Sequence, residues 1–155
     1  MEKMYFPMFV DISDKKIVVV GGGNIAARRV RTLLDFAEDI TVVSPEICEK
    51  LRILREVSGL QVIERGWMEE DLEGAQIVLA ATDRKELNAK IVRFCREHQI
   101  LVNTADDKSM CDFYFPSIIK KDPVIIGINS SGSSPAKVKE TRLKLERALS
   151  ERIKD

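Results

Sequence analysis

Lys16-Ile17-Val18-Val19-Val20-Gly21-Gly22-Gly23-Asn24-Ile25-Ala26 is the stretch on which the fold turns. A run of β-branched residues, a glycine turn and the first residues of an amphipathic segment describe a strand that passes through a tight corner into a helix. Gly21 permits the turn off the strand. Gly23 lets the main chain approach a ligand with no side chain between them. Ala26 is small enough for the helix to lie close to its strand. The N–H groups and the positive dipole end of that helix then face an anion. Together these features describe a cradle for the pyrophosphate of a dinucleotide. The alternative is a glycine-rich turn that binds nothing.

Outward from this stretch, apolar β-rich runs recur with helical patterns between them. Ile40–Val43, Ile77–Ala80 and Ile100–Val102 join Ile17–Val20 as strong strands, and Gln61-Val62-Ile63-Glu64 is a weaker one. Strands buried on both faces read as continuous apolar runs, as these do. Helices are expected over Asn24–Phe36, Pro45–Val57 and Arg84–Glu97, the last with Leu87, Ile91, Phe94 and Cys95 at helical spacing. Alternating β and α implies a parallel sheet with right-handed crossovers. The fold class is therefore α/β, a Rossmann-like doubly wound sheet.

The pattern changes after Asp106. Phe113 to Ile128 reads as two strands joined by a turn at Lys121-Asp122-Pro123. A polar turn, Asn129 to Ser134, leads into a helix from Pro135 to about Arg152, with Ser134 as its cap and Pro135 in the first helical position. Residues 1–112 are read as the nucleotide-binding domain, and 113–155 as a β-hairpin and helix forming a dimerisation region. The apolar segment Met4 to Asp11 is expected to lay an extra strand or arm before the first sheet strand.

The bulk composition narrows the function classes. The 155 residues include 25 basic and 25 acidic ones, so nothing in the balance suggests nucleic acid as a partner. No apolar run reaches the length of a membrane span, and the N-terminus lacks the apolar stretch of a secretory signal. Cys48, Cys95 and Cys111 are odd in number and show no C-x-x-C spacing, which suggests reduced thiols in the cytoplasm and no metal site. From Pro116 onward nine basic residues face five acidic ones, leaving +4 there and −4 on the remainder. That excess suits either an anionic ligand or a solvated helix face.

Candidate site residues fall at the carboxyl ends of the strands, where ligands of open α/β sheets bind. Val43-Ser44-Pro45-Glu46 ends the second strand, where an acidic residue usually accepts from the ribose hydroxyls. Ser44 stands there instead. Glu46 either contributes to the ribose site or sits in the first turn of the next helix. With no arginine at this tip for a 2′-phosphate, NAD is favoured over NADP. Thr82 and Asp83 end the third strong strand, with Asp83 either beside the cofactor or capping the helix after it. Asn103-Thr104-Ala105-Asp106-Asp107 ends the fourth. A carboxylate here could take a proton as hydride leaves, though on geometry alone two loop aspartates are more often solvated than catalytic. Ser130, Ser131, Gly132 and Ser133, with Lys137 nearby, form either a second anion cradle or a well-capped helix start.

Phe6-Pro7-Met8-Phe9, Val20 to Ala26, Ala80-Ala81-Thr82-Asp83, Asn103-Thr104-Ala105-Asp106, Pro116-Ser117-Ile118-Ile119 and Ser130 to Pro135 occur in this order. As a set they resemble the precorrin-2 dehydrogenases, the NAD-dependent part of siroheme synthases, and they cover nearly the whole chain. The resemblance implies oxidation of precorrin-2, an anionic tetrapyrrole, to sirohydrochlorin with NAD as hydride acceptor. Some members also take ferrous iron as a substrate to give siroheme. It places the essential aspartate on Asp106, the pyrophosphate turn at Asn24 and Ile25, and the adenosine ribose near Pro45 and Glu46. It makes Ser130 the counterpart of a serine phosphorylated in some relatives, and it implies a homodimer formed through the region after Asp106. Members commonly continue with a further helical segment that helps enclose the tetrapyrrole. The chain ends at Asp155, so dehydrogenase activity is the leading expectation and chelatase activity the weaker one.

Two other classes share the glycine turn and the doubly wound sheet. A nucleotide-sensing regulatory domain typically carries an acidic residue at the second strand tip, where this chain has Ser44, and has no need of a serine-glycine turn after a hairpin. A non-catalytic relative would keep the fold and the dimer alone.

Overall fold

The structure, a computed structural model, describes residues 5–151. Five strands, β1 (Ile17–Val20), β2 (Ile40–Val43), β3 (Gln61–Ile63), β4 (Ile77–Ala80) and β5 (Leu101–Thr104), form one parallel sheet in the order β3-β2-β1-β4-β5. The chain winds outward from β1 to β3, then returns to β4 on the other side of β1. The direction of winding thus reverses between β1 and β4, and that is where such a sheet opens a crevice at its carboxyl ends. Register puts the tips in one row: Val20 pairs with Val43 and Ala80, and Ala80 with Thr104.

Helices α1 (Asn24–Leu33), α2 (Glu49–Ser58) and α3 (Lys85–Glu97) connect these strands. Ile17, Val18, Val19, Val42, Val78 and Leu79 are fully buried, as expected where helices cover both faces of a sheet. Helix α1 turns Ala26, Ala27, Val30 and Leu33 inward. Helix α3 does the same with Asn88, Ile91, Val92 and Cys95, at the i, i+3, i+4, i+7 spacing of one helical face.

Several boundaries differ from the sequence reading. Helix α2 begins at Glu49, not Pro45, because Ser44 to Ile47 are drawn against the glycine turn: Cys48 N donates to Gly22 O at 2.8 Å, and Ser44 Oγ donates to Glu46 O at 2.7 Å. Gly59, in the left-handed region at φ +70°, ends it. Helix α1 stops at Leu33, and Phe36 closes the turn through its N–H to Leu33 O. The fourth strong strand runs from Leu101 to Thr104 rather than from Ile100 to Val102, because Asn103 and Thr104 extend the ladder against β4. No strand forms over residues 5–11, where Phe6, Met8, Phe9 and Val10 are exposed; Met4 lies outside the described residues.

Beyond β5 a short 3-10 turn, Lys108–Met110, brings the chain back along that strand. Val102 N donates to the Asp112 carboxylate, Asp112 N to Val102 O, and Asn103 Nδ2 to Phe113 O, all at 2.7–2.9 Å.

Residues 9–113 make one compact unit, and residues 5–8 with 114–151 a second. The second therefore includes the first few described residues, with the Tyr5 and Tyr114 rings packed edge to face at 4.4 Å. Its strands β6 (Ser117–Lys121) and β7 (Val124–Ile128) form an antiparallel hairpin across Asp122-Pro123, and α4 (Pro135–Glu151) packs on β6. Ser134 Oγ accepts from Lys137 N, so the expected cap is present, with Pro135 as the first helical residue. Among the described residues no helix is long and apolar enough to cross a membrane.

Candidate active site

The glycine turn follows β1 at the reversal point, and each glycine has a different reason to be there. Gly21 has φ +128°, and a Cβ on it would lie 2.3 Å from the Ala81 carbonyl oxygen at the tip of β4. Gly21 thus lets β1 and β4 close together at the point where the crevice begins. Gly22 sits against the β2 tip, where a Cβ would stand 1.9 Å from Glu46 O and 2.7 Å from Ser44 Oγ. The sequence reading gave Gly22 no role; the run of consecutive glycines was the available signal.

Gly23 is the opposite case. It is the N-cap of α1 in ordinary extended backbone, and a Cβ on it would meet nothing within 4 Å. The protein itself makes no demand for glycine there. Gly23, Asn24 and Ile25 are exposed, and the first turn of α1 holds no acidic side chain. An open approach to free N–H groups, with no competing carboxylate, fits the pyrophosphate of a dinucleotide.

At the β2 tip, Pro45 and Glu46 are exposed, while Ser44 is buried with its hydroxyl proton committed to Glu46 O. Ser44 shapes this corner, and Glu46 precedes α2 rather than lying in its first turn.

At the β4 tip, Thr82 is tied to Asn88 of α3. Asn88 Oδ1 accepts from Thr82 N at 3.2 Å and from Thr82 Oγ1 at 2.7 Å, and Asn88 Nδ2 donates to Thr82 O at 3.1 Å. The Thr82 hydroxyl also accepts from Arg84 N at 3.2 Å. The N-cap of α3 is Arg84, with no side-chain bond at the cap, so Asp83 does not take the capping role; it is exposed. Its neighbour Ala81 is buried under the Gly21 turn.

Asp106 lies at the β5 tip with its carboxylate exposed. Its Oδ1 accepts from Asn88 Nδ2 at 3.0 Å and from the hydroxyl of Thr104, which is itself buried. The carboxylate borders a cleft of about 330 Å³ lined by Lys85, Glu86, Ala89, Asp106, Asp107 and Met110. Asp107, by contrast, is turned into its own loop. Hydrogen bonds from the Ser109 hydroxyl and backbone N–H hold its carboxyl below the usual range.

Asn103, expected to touch substrate, is used otherwise. It is 3 % exposed, with Oδ1 accepting from Arg29 Nη1 at 2.6 Å and Nδ2 donating to Phe113 O. Both ends of the amide are occupied, so the side chain braces the β5 tip against α1 from within. Burial pulls the Arg29 guanidinium below its ordinary value. Sequence reasoning missed Arg29, Asn88 and Thr104. For Asn88 the signal was present, as a polar residue on the apolar stripe of α3.

The serine turn belongs to the second unit. Ser130 Oγ accepts from Ser134 N at 3.0 Å, Ser133 Oγ donates to Ser130 O at 2.6 Å, and Ser131 N donates to Asn129 Oδ1 at 2.6 Å. Ser131 and Gly132 take left-handed backbone, with φ 53° and 71°. Ser131, Gly132, Ser133 and Lys137 are exposed. Gly21, Gly23, Asn24, Ile25, Ser44, Pro45, Glu46, Thr82, Asp83 and Asp106 thus gather on the tips of one sheet, while Ser130 to Ser133 and Lys137 form a separate turn.

Residues 8–117 match the family model described as "Putative NAD(P)-binding". The siroheme synthase of Pseudoalteromonas translucida (strain TAC 125) is 35% identical over 149 residues, 96% of this chain and 32% of that protein. The siroheme synthase of Blochmanniella pennsylvanica (strain BPEN) is 38% identical over 145 residues, 94% of this chain and 30% of that protein. The chain thus spans about a third of the length of these curated relatives. The solved structure of SirC, precorrin-2 dehydrogenase, superposes with a TM-score of 0.78 at 27% identity, covering 94% of this chain and 70% of that one.

Proposed function

The chain belongs to this NAD(P)-binding family, and we propose that it is an NAD-dependent dehydrogenase that oxidises precorrin-2 to sirohydrochlorin. The observation that carries the reading is Asp106: an exposed carboxylate, held through one oxygen by Asn88 and Thr104, two strands from the glycine turn in the same sheet. The likeness to siroheme synthases and to SirC, precorrin-2 dehydrogenase, supports the same choice of substrate.

The oxidation removes a hydride and a proton from the macrocycle. NAD, when bound, supplies the hydride acceptor. The chain's task is to hold both partners and to take the proton. Gly23 and the N–H groups of Asn24 and Ile25 bind the pyrophosphate. Pro45 and Glu46 face the ribose, with Ser44 shaping the loop, and an exposed carboxylate there favours NAD over a 2′-phosphorylated cofactor. Thr82 and Asp83 border the nicotinamide side, and Asp106 accepts the proton. Ser130, Ser131, Gly132, Ser133 and Lys137 bind the carboxylates of the tetrapyrrole through hydroxyls, N–H groups and one ammonium. Residues 9–113 serve as the cofactor domain. The second unit dimerises two copies, a role supported by the exposed Val124, Ile125 and Leu143. The protein works in the cytoplasm.

Anaerobic incubation with precorrin-2 and NAD tests the reading. One NADH should form per sirohydrochlorin, followed by their absorbance, and a protein that produces neither is not this enzyme. Adding ferrous ion to the same reaction shows whether iron is a further substrate. Sedimentation at micromolar concentration should show a dimer, and a stable monomer would remove the role given to the second unit.

A further inference from the structure

Asn88 is 0% exposed, and it sits on a helix face otherwise made of Ile91, Val92 and Cys95. Asparagine is a poor helix former, and burying an amide costs free energy unless all of it is bonded. Here all of it is. Its oxygen accepts from the Thr82 N–H and hydroxyl, and its two amide hydrogens go to Thr82 O and Asp106 Oδ1. The amide has a single workable orientation, because a flip would set its oxygen against two acceptors, Thr82 O and Asp106 Oδ1. Thr82 is where β4 meets the glycine turn: its nitrogen lies 3.0 Å from the Cβ position of Gly21. One buried side chain therefore joins the cofactor edge of the crevice to the carboxylate at the next strand tip.

We propose that Asn88 is a positioning residue for the dehydrogenation: it fixes the Asp106 carboxylate relative to the Thr82 peptide, and so sets the proton acceptor against the cofactor. This rests on the reading of Asp106 as that acceptor. With Oδ1 held by Asn88 and Thr104, Oδ2 is the oxygen without a partner among the described residues, and it is the one that takes the proton. A carboxylate free to rotate about its own bonds would sample that geometry only part of the time. The other charged groups bordering the same cleft, Lys85, Glu86 and Asp107, are not bonded to Asp106, so none of them substitutes for the amide.

The test uses the full chain with precorrin-2 and NAD, and two variants. Asn88→Asp keeps the side-chain volume and the two bonds accepted from Thr82, and loses both donated bonds. Asn88→Ala loses all four. Each should lower kcat at least tenfold, while the KM for precorrin-2 and the Kd for NAD, read by fluorescence titration, stay within threefold. A merely structural role predicts instead that kcat and NAD binding fall together with the melting temperature. If Asn88→Ala does not fold, the near-isosteric Asn88→Asp decides alone. Variants with kcat within twofold of the parent, or with NAD binding lost in step with kcat, overturn the role of Asn88. A parent protein with no turnover overturns the functional reading beneath it, so the two failures are distinct.

Discussion

The carbonyl oxygen of Glu46 stands 1.9 Å from the place a Cβ on Gly22 would occupy, while the same position on Gly23 faces open space. The fold therefore requires glycine at position 22 and not at 23, and substitution separates the two. Gly22→Ala must push the β2 loop away and should cost about 1–3 kcal/mol of stability. Gly23→Asp is the reverse case: aspartate is a favoured N-cap, so the melting temperature should hold or rise. Its carboxylate would meet the pyrophosphate, and NAD affinity should fall more than about tenfold. Thermal melts and NAD titrations on both variants check this. Equal NAD affinity for Gly23→Asp would remove the pyrophosphate from this turn.

Asp106→Asn keeps the shape of the side chain and removes its basicity. Turnover of precorrin-2 should be lost by at least about a hundredfold, with NAD binding within a factor of about three of the parent, since Asp106 stands at the β5 tip and the glycine turn at β1. Single-turnover absorbance and fluorescence titration read the two quantities separately. Retained turnover would exclude Asp106 as the proton acceptor.

A structural ion pair elsewhere gives a dependence on pH. The Asp71 side chain is 6 % exposed, and its carboxyl is held below the usual range, chiefly by the two-pronged hydrogen bonds from Arg65 at 2.7 and 2.8 Å and further by Met68 N. A carboxyl whose value is lowered by folding stabilises the fold above its unfolded value, near 4, and loses that contribution as pH falls through the folded value. Asp71→Asn should therefore lower the urea midpoint at pH 7, and the gap from the parent should close as pH drops below about 4. A gap independent of pH would mean that packing, not charge, is at work.

Burial pushes the Cys95 thiol up to about 12, and burial also raises Cys111, partly offset by the Thr104 N–H and the Arg29 charge. Thiolate is the reactive form. Thiol reagents at pH 8 should leave Cys95 unmodified in the native protein and modify it only after denaturation, as mapped by peptide mass. Rapid native labelling of Cys95 would contradict the packing of α3.

The sheet was legible because buried parallel strands are written as unbroken apolar runs, and Ile17–Val20, Ile40–Val43 and Ile77–Ala80 need no context to be read. The glycine turn was legible for the same local reason. What escaped was set by contacts between distant residues. Pro45 looks like a first helical residue, yet Gly22 holds the loop after it and delays α2 to Glu49. Asp83 looks like a cap, but the N-cap of α3 is Arg84, which makes no side-chain cap bond, and Thr82 closes the turn before it by accepting from Arg84 N. Asn103 looked like a ligand contact, and its partner Arg29 lies 74 residues away in the chain. Asn88 carried a readable mark, a lone amide on an apolar stripe, although its partners at residues 82 and 106 become neighbours only once the sheet has formed.

The return of the chain along β5 has a consequence for how copies of the protein meet. The Val102 amide and carbonyl, which would otherwise offer themselves to a passing extended segment, are already taken by Asp112, and the Asn103 amide fastens the next residue, Phe113. This margin of the sheet is sealed by its own sequence, which protects it from runaway strand-to-strand stacking between molecules.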